Sequence, residues 1–159
     1  MDERRLLRQI RLLISLIMVI VILAGMAAFF PISLLNWLED HNSLLPEKVN
    51  SWIQEINHGL KVTADAYPFV IYAIHWLAFS HIIIALLFAG VIVDPVKNRW
   101  VINWAIACCM IAITLVFVSG YANRIPFFHQ VIDSSFAIAG ILLLYMIKKK
   151  IISLEKIRG

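Results

Sequence analysis

Charge is scarce in this chain. Asp, Glu, Lys and Arg make up 15% of its 159 residues, where an average soluble domain has about 25%. Hydrophobic residues reach 62% and the mean hydropathy is +0.86, which excludes a water-soluble globular domain and a disordered chain. Cysteine is equally sparse. The only two, Cys108 and Cys109, are adjacent within an apolar run, so there is no disulfide scaffold and no C-x-x-C redox motif, and both read as small apolar side chains. The chain also lacks a glycine-rich phosphate loop, a G-x-S-x-G elbow and an H-E-x-x-H zinc motif, so no soluble-enzyme signature is present.

What the chain does have is four apolar runs. Residues 12–30, 68–93, 96–120 and 127–147 each approach or exceed the roughly 20 residues needed to cross a bilayer. The expectation is a single all-α membrane domain: an integral bundle of four transmembrane helices. A basic N-terminus (1–11) precedes it and a basic tail (148–159) follows. The first run is longer than a signal-peptide core of about 7–15 residues and reads as an uncleaved helix. Asp94-Pro95 joins the second and third runs, with Asp94 expected as a cap and Pro95 at the first helical position. Residues 121–126 join the third and fourth runs, and links this short force antiparallel neighbours.

Residues 31–67 form the one long connection. Val49, Trp52, Ile53, Ile56 and Leu60 recur at helical spacing after Pro46-Glu47. An amphipathic helix lying on the bilayer is expected there, with Gly59 as its terminator.

Basic residues set an orientation. With both termini in the cytoplasm of a plasma (inner) membrane protein, eleven Lys and Arg lie inside, and only Lys48, Lys61 and Arg124 lie outside. Lipid headgroups and the positive-inside rule then account for the basic pI, and nucleic acid is not an expected partner. The run Lys148-Lys149-Lys150 reads as a stop signal in contact with anionic lipid.

Any chemistry must sit where polar groups enter the apolar runs, because an ionisable residue in lipid is a functional-site hypothesis by default. The first run has almost none and reads as a lipid-facing anchor. In the second, Ala78, His81, Ala85 and Ala89 make a small-residue stripe of the kind that lets membrane helices pack closely. His75 and His81 lie about 60° to either side of Ala78 at 100° per residue. In the fourth run Asp133, Ala137 and Gly140 make a similar stripe, which puts Asp133 on the packed face. His129 precedes Asp133 by four residues and shares its face. His75, Arg124, His129 and Asp133 are therefore the candidate cluster near the outer boundary, with Tyr72 and Trp76 flanking the histidines and His81 deeper.

This cluster supports several functions. Apolar walls with a few converging polar groups suit a lipophilic small molecule or a lipid headgroup, and the leading expectation is a non-catalytic membrane subunit or ligand-binding protein with an outer-leaflet pocket. The alternative is a membrane redox or metal/haem-binding subunit using His75, His129 and Asp133. His75 and His81 are about 120° apart in phase and about 9 Å apart in rise, so one haem cannot take both. A haem would need His129 or a second copy of the chain. A homo-oligomer or larger membrane complex would also use the small-residue stripes. Asp133 could instead pair with Arg124 or His129 and fix how two helices dock. A proton path lacks polar groups in the cytoplasmic halves of the second and fourth runs.

Overall fold

The computed structural model describes residues 2–41, 43 and 45–158. Among these, all regular structure is helical. Six helices follow one another: α1 Glu3–Phe29, α2 Pro31–Asp40, α3 Glu47–Ala66, α4 Pro68–Val93, α5 Arg99–Ala122 and α6 Phe127–Arg158. Four of them (α1, α4, α5 and α6) are long and apolar enough to cross a membrane. The chain is an all-α, multi-pass membrane protein, because a helix satisfies its own backbone hydrogen bonds in lipid. It divides into two compact units, residues 18–86 and residues 1–17 with 87–159.

In the first of these units, the end of α1 packs against α4. A Cβ built on Gly25 would lie 2.9 Å from both the Ala78 carbonyl oxygen and His81 Cβ. Only glycine admits so close an approach, and Ala78 and Ala85 are fully buried there, as the small-residue stripe predicts. α1 is thus a packed helix and not simply a lipid-facing anchor.

α2 and α3 form a helical hairpin in the same unit. Asn57 is buried and its Nδ2 donates to Asn36 Oδ1 at 2.9 Å, clamping the two helices. The expected apolar stripe of α3 is half-buried, while Glu47, Lys48, Gln54 and Glu55 are exposed. Gly59 does not end this helix, which runs seven residues further to Ala66. One glycine costs a helix only about 1 kcal/mol, too little to stop it without a competing cap.

The second unit has the larger core. Leu6, Ile10, Ile14 and Ile17 of α1 are buried in it, as are Phe88 and Val91 of α4, Val101, Ile102 and Ala105 of α5, and Leu144, Ile147, Ile151 and Leu154 of α6. α6 is 32 residues long, about 48 Å at 1.5 Å per residue, against a hydrocarbon core of about 30 Å. The basic run at 148–150 is therefore a continuation of the helix and not a break. Lys stems favour the helix, and Lys150 Nζ donates to Gln9 Oε1 at 2.7 Å. α1 likewise begins at Glu3, inside the expected basic leader. Glu3 and Arg158 pair at 2.9 Å, so both ends of the chain meet at one end of this unit.

The α4–α5 link also differs from expectation. α5 starts at Arg99, so Pro95 precedes the helix by four residues. Asp94 Oδ1 accepts the amides of Val96 and Lys97, making a turn of its own. Asn98 Nδ2 donates to the carbonyls of Gly90 and Asp94, which also accept the backbone amides of Asp94 and Asn98, so the end of α4 is tied down twice over.

Candidate functional site

The α5–α6 hairpin is built around a tight stop. Ile125 N–H donates to Gly120 O and Arg124 N–H to Tyr121 O, the pairing of a Schellman cap. The left-handed position of that cap is held by Arg124, with φ 58°, where glycine is the usual occupant. Asn123 Nδ2 donates to Ser119 O at 2.9 Å and finishes the turn.

Gly120 then decides which face of α6 meets α5. A Cβ there would come within 2.7 Å of Gln130 Cγ and Oε1, so the glycine makes room for the Gln130 side chain. Buried Gln130 donates through Nε2 to Ile125 O at 2.8 Å. Ser134, one turn on, is buried with it. Further along, Gly140 faces Cys109, with 3.5 Å between its would-be Cβ and Sγ. Cys108 and Cys109 are free and half-buried.

This phase corrects the expectation for Asp133. Its side chain is 46% exposed, and the packed face at that level belongs to Gln130 and Ser134. The physical reason is the cost of burying charge. A neutral amide can be satisfied by one carbonyl, whereas a buried carboxylate needs far more. Asp133 instead sits on the rim of the hairpin, with His129 Nε2 at 3.4 Å from its Oδ2. Leu115, Val116, Ser119, Gly120, Ile125 and Gln130 complete a groove of about 330 Å³ that His129 and Asp133 border. Arg124 makes no ion pair among the described residues, so His129 is the partner of Asp133.

The remaining expected residues lie in the 18–86 unit. His75 is half-buried and stacks on Phe29, with ring centroids 5.5 Å apart. His81 sits against Gly25, and its Nδ1 lies 3.0 Å from Leu77 O, so Nδ1–H donates to the preceding turn. Tyr72, Trp76 and Phe79 make an edge-to-face ladder with successive centroids 6.1 Å apart. All three rings are exposed, as suits aromatic side chains at a membrane face.

Among the described residues, no three His, Cys, Asp or Glu side chains gather closely enough to hold a metal ion. Gln130, Ser134 and Gly120 were not singled out by sequence reasoning. A signal was present: Gln130 and Ser134 are polar residues four apart in an apolar run, but they are uncharged beside His129 and Asp133. Comparison of the chain with protein-family models, curated proteins and solved structures finds no match.

Proposed function

We propose that the protein is a small non-catalytic membrane subunit or binding protein that holds a lipid headgroup or lipophilic small molecule in the α5–α6 groove. The observation that carries this reading is the His129–Asp133 pair at 3.4 Å on the rim of a groove whose apolar wall is Leu115, Val116 and Ile125, with Ser119, Gly120 and Gln130 completing it. An imidazole beside a carboxylate offers both a donor and an acceptor to a polar head. The apolar wall suits the rest of an amphiphile. A volume of about 330 Å³ is at the small end of ligand sites, which span about 300–1,000 Å³. The eleven-to-three distribution of Lys and Arg supports an orientation with both termini cytoplasmic and this groove in the outer leaflet of the plasma membrane.

The test is native mass spectrometry of the full chain from mild detergent, with an absorption spectrum of the same sample. A non-protein mass should stay bound to the wild type. It should be lost from Asp133→Asn and His129→Gln while both variants keep their melting temperature. A mass indifferent to both variants, or no mass at all, overturns the reading. Loss of folding in Asp133→Asn makes the aspartate a docking charge, and a visible band that depends on the histidines points to haem or metal.

A further inference from the structure

At the end of the 1–17/87–159 unit where the chain termini meet, every described acidic side chain is already engaged. Glu3 pairs with Arg158 and Glu155 with Arg99. Asp94 accepts backbone amides at its own turn, and Asp2 accepts the amide of Arg4. α1 nonetheless carries three more guanidinium groups on one face. Arg4, Arg8 and Arg11 fall within about 60° of one another around the helix at 100° per residue. None of the three forms an ion pair among the described residues. Arg11 Nε donates to Ile92 O at 3.0 Å, which fixes its stem against α4 and leaves its terminal N–H groups without a protein partner among the described residues.

These arginines line a groove of about 350 Å³ together with Leu7, Leu12 and Ser15. The groove lies where the charged start of α1 meets its apolar stretch. Leu12 is 61% exposed and Leu16, one turn deeper, is 49% exposed. Positive charge without a counter-ion among the described residues thus sits directly above an uncovered apolar strip. An anionic amphiphile matches both parts.

We propose that this face of α1 binds the phosphate of an anionic membrane lipid. Arg4, Arg8 and Arg11 donate to the phosphate oxygens, and Leu12 and Leu16 meet the acyl chains. Arginine suits this role because its planar fork reaches two phosphate oxygens at once. The site is separate from the α5–α6 groove, which lies at the opposite end of the unit, and it does not depend on that reading.

The experiment is a lipid titration of the full chain in mild detergent, read by native mass spectrometry, with phosphatidylglycerol and phosphatidylcholine as probes. Arg8→Gln is compared with Arg5→Gln, which removes the same charge three positions away but off the groove. Phosphatidylglycerol should be retained over phosphatidylcholine. Its affinity should fall about fivefold in Arg8→Gln and less than about twofold in Arg5→Gln. Melting temperatures of the two variants should match the wild type, since neither side chain has an ion-pair partner to lose among the described residues. Equal losses in the two variants reduce the effect to diffuse surface charge and overturn the proposal. Equal retention of the two lipids overturns it as well. Displacement of phosphatidylglycerol by millimolar inorganic phosphate would make the groove a site for free phosphate instead.

Discussion

Replacing Gly25 with alanine adds one methyl group where α1 and α4 touch. That methyl would sit 2.9 Å from the Ala78 carbonyl oxygen and 2.9 Å from His81 Cβ. Neither atom is the end of a flexible side chain, so the helices must separate. Overpacking of this kind costs about 1–3 kcal/mol. Alanine recovers about 0.8–1 kcal/mol of helix propensity, and the net expectation is a loss of up to about 2 kcal/mol. Gly140 and Gly59 serve as internal controls. A Cβ on Gly140 meets Cys109 Sγ at 3.5 Å, an ordinary contact, and one on Gly59 meets nothing within 4 Å. Gly140→Ala should therefore be neutral or slightly stabilising. Gly59→Ala should gain up to about 1 kcal/mol, visible as slower proteolysis of α3. Unfolding in mixed micelles, followed by tryptophan fluorescence, measures all three. If Gly25→Ala proves as stable as Gly140→Ala, the close approach of α1 to α4 is wrong.

Two further substitutions probe the hairpin stop and the buried amide pair. Arg124→Gly removes a left-handed residue that costs roughly 1–2 kcal/mol and gives up no ion pair among the described residues. It should raise stability by about 0.5–1 kcal/mol in the same micelle assay, and destabilisation would mean that its side chain has a structural partner. Asn36→Ala leaves the buried Nδ2 of Asn57 without its acceptor, at a cost of about 1–3 kcal/mol. Asn36→Leu with Asn57→Leu should recover most of that, as amide hydrogen exchange in α2 and α3 would record. If the double variant is worse than the single one, the pair is not the clamp.

The spans were legible because lipid forces each crossing segment into a long apolar helix, and hydropathy reads that length directly. The buried face of α4 was legible too, since Ala78 and Ala85 differ in size from their neighbours. α1 offered no such contrast. Leu6, Ile10, Ile14 and Ile17 are buried while Leu12, Leu16, Val19 and Ile20 are exposed. In lipid, leucine and isoleucine serve both faces equally well, so periodicity carries no signal. On α6 the difficulty was a choice between adjacent stripes. Asp133 and Ser134 differ by about 100° in phase, and the choice turned on Gly120, which is distant in the chain pattern but opposite Gln130 in space. The His129–Asp133 pair could be read from its four-residue spacing, whereas the place of Arg124, which makes no ion pair among the described residues, depended on a backbone turn that spacing does not encode.

The pairing of Glu3 with Arg158 spans 155 positions of sequence, and this has a consequence for biosynthesis. α1 leaves the ribosome well before α6, yet Leu6 and Ile10 belong to the same core as Ile151 and Leu154. At about 5–20 residues per second, these side chains wait about 7–30 s for their partners. Throughout that interval this part of α1 presents apolar side chains next to water, which a chaperone, the insertion machinery or the bilayer surface must cover. Truncating the last turns of α6 would make that exposure permanent, so residues made late govern how well those made early are protected.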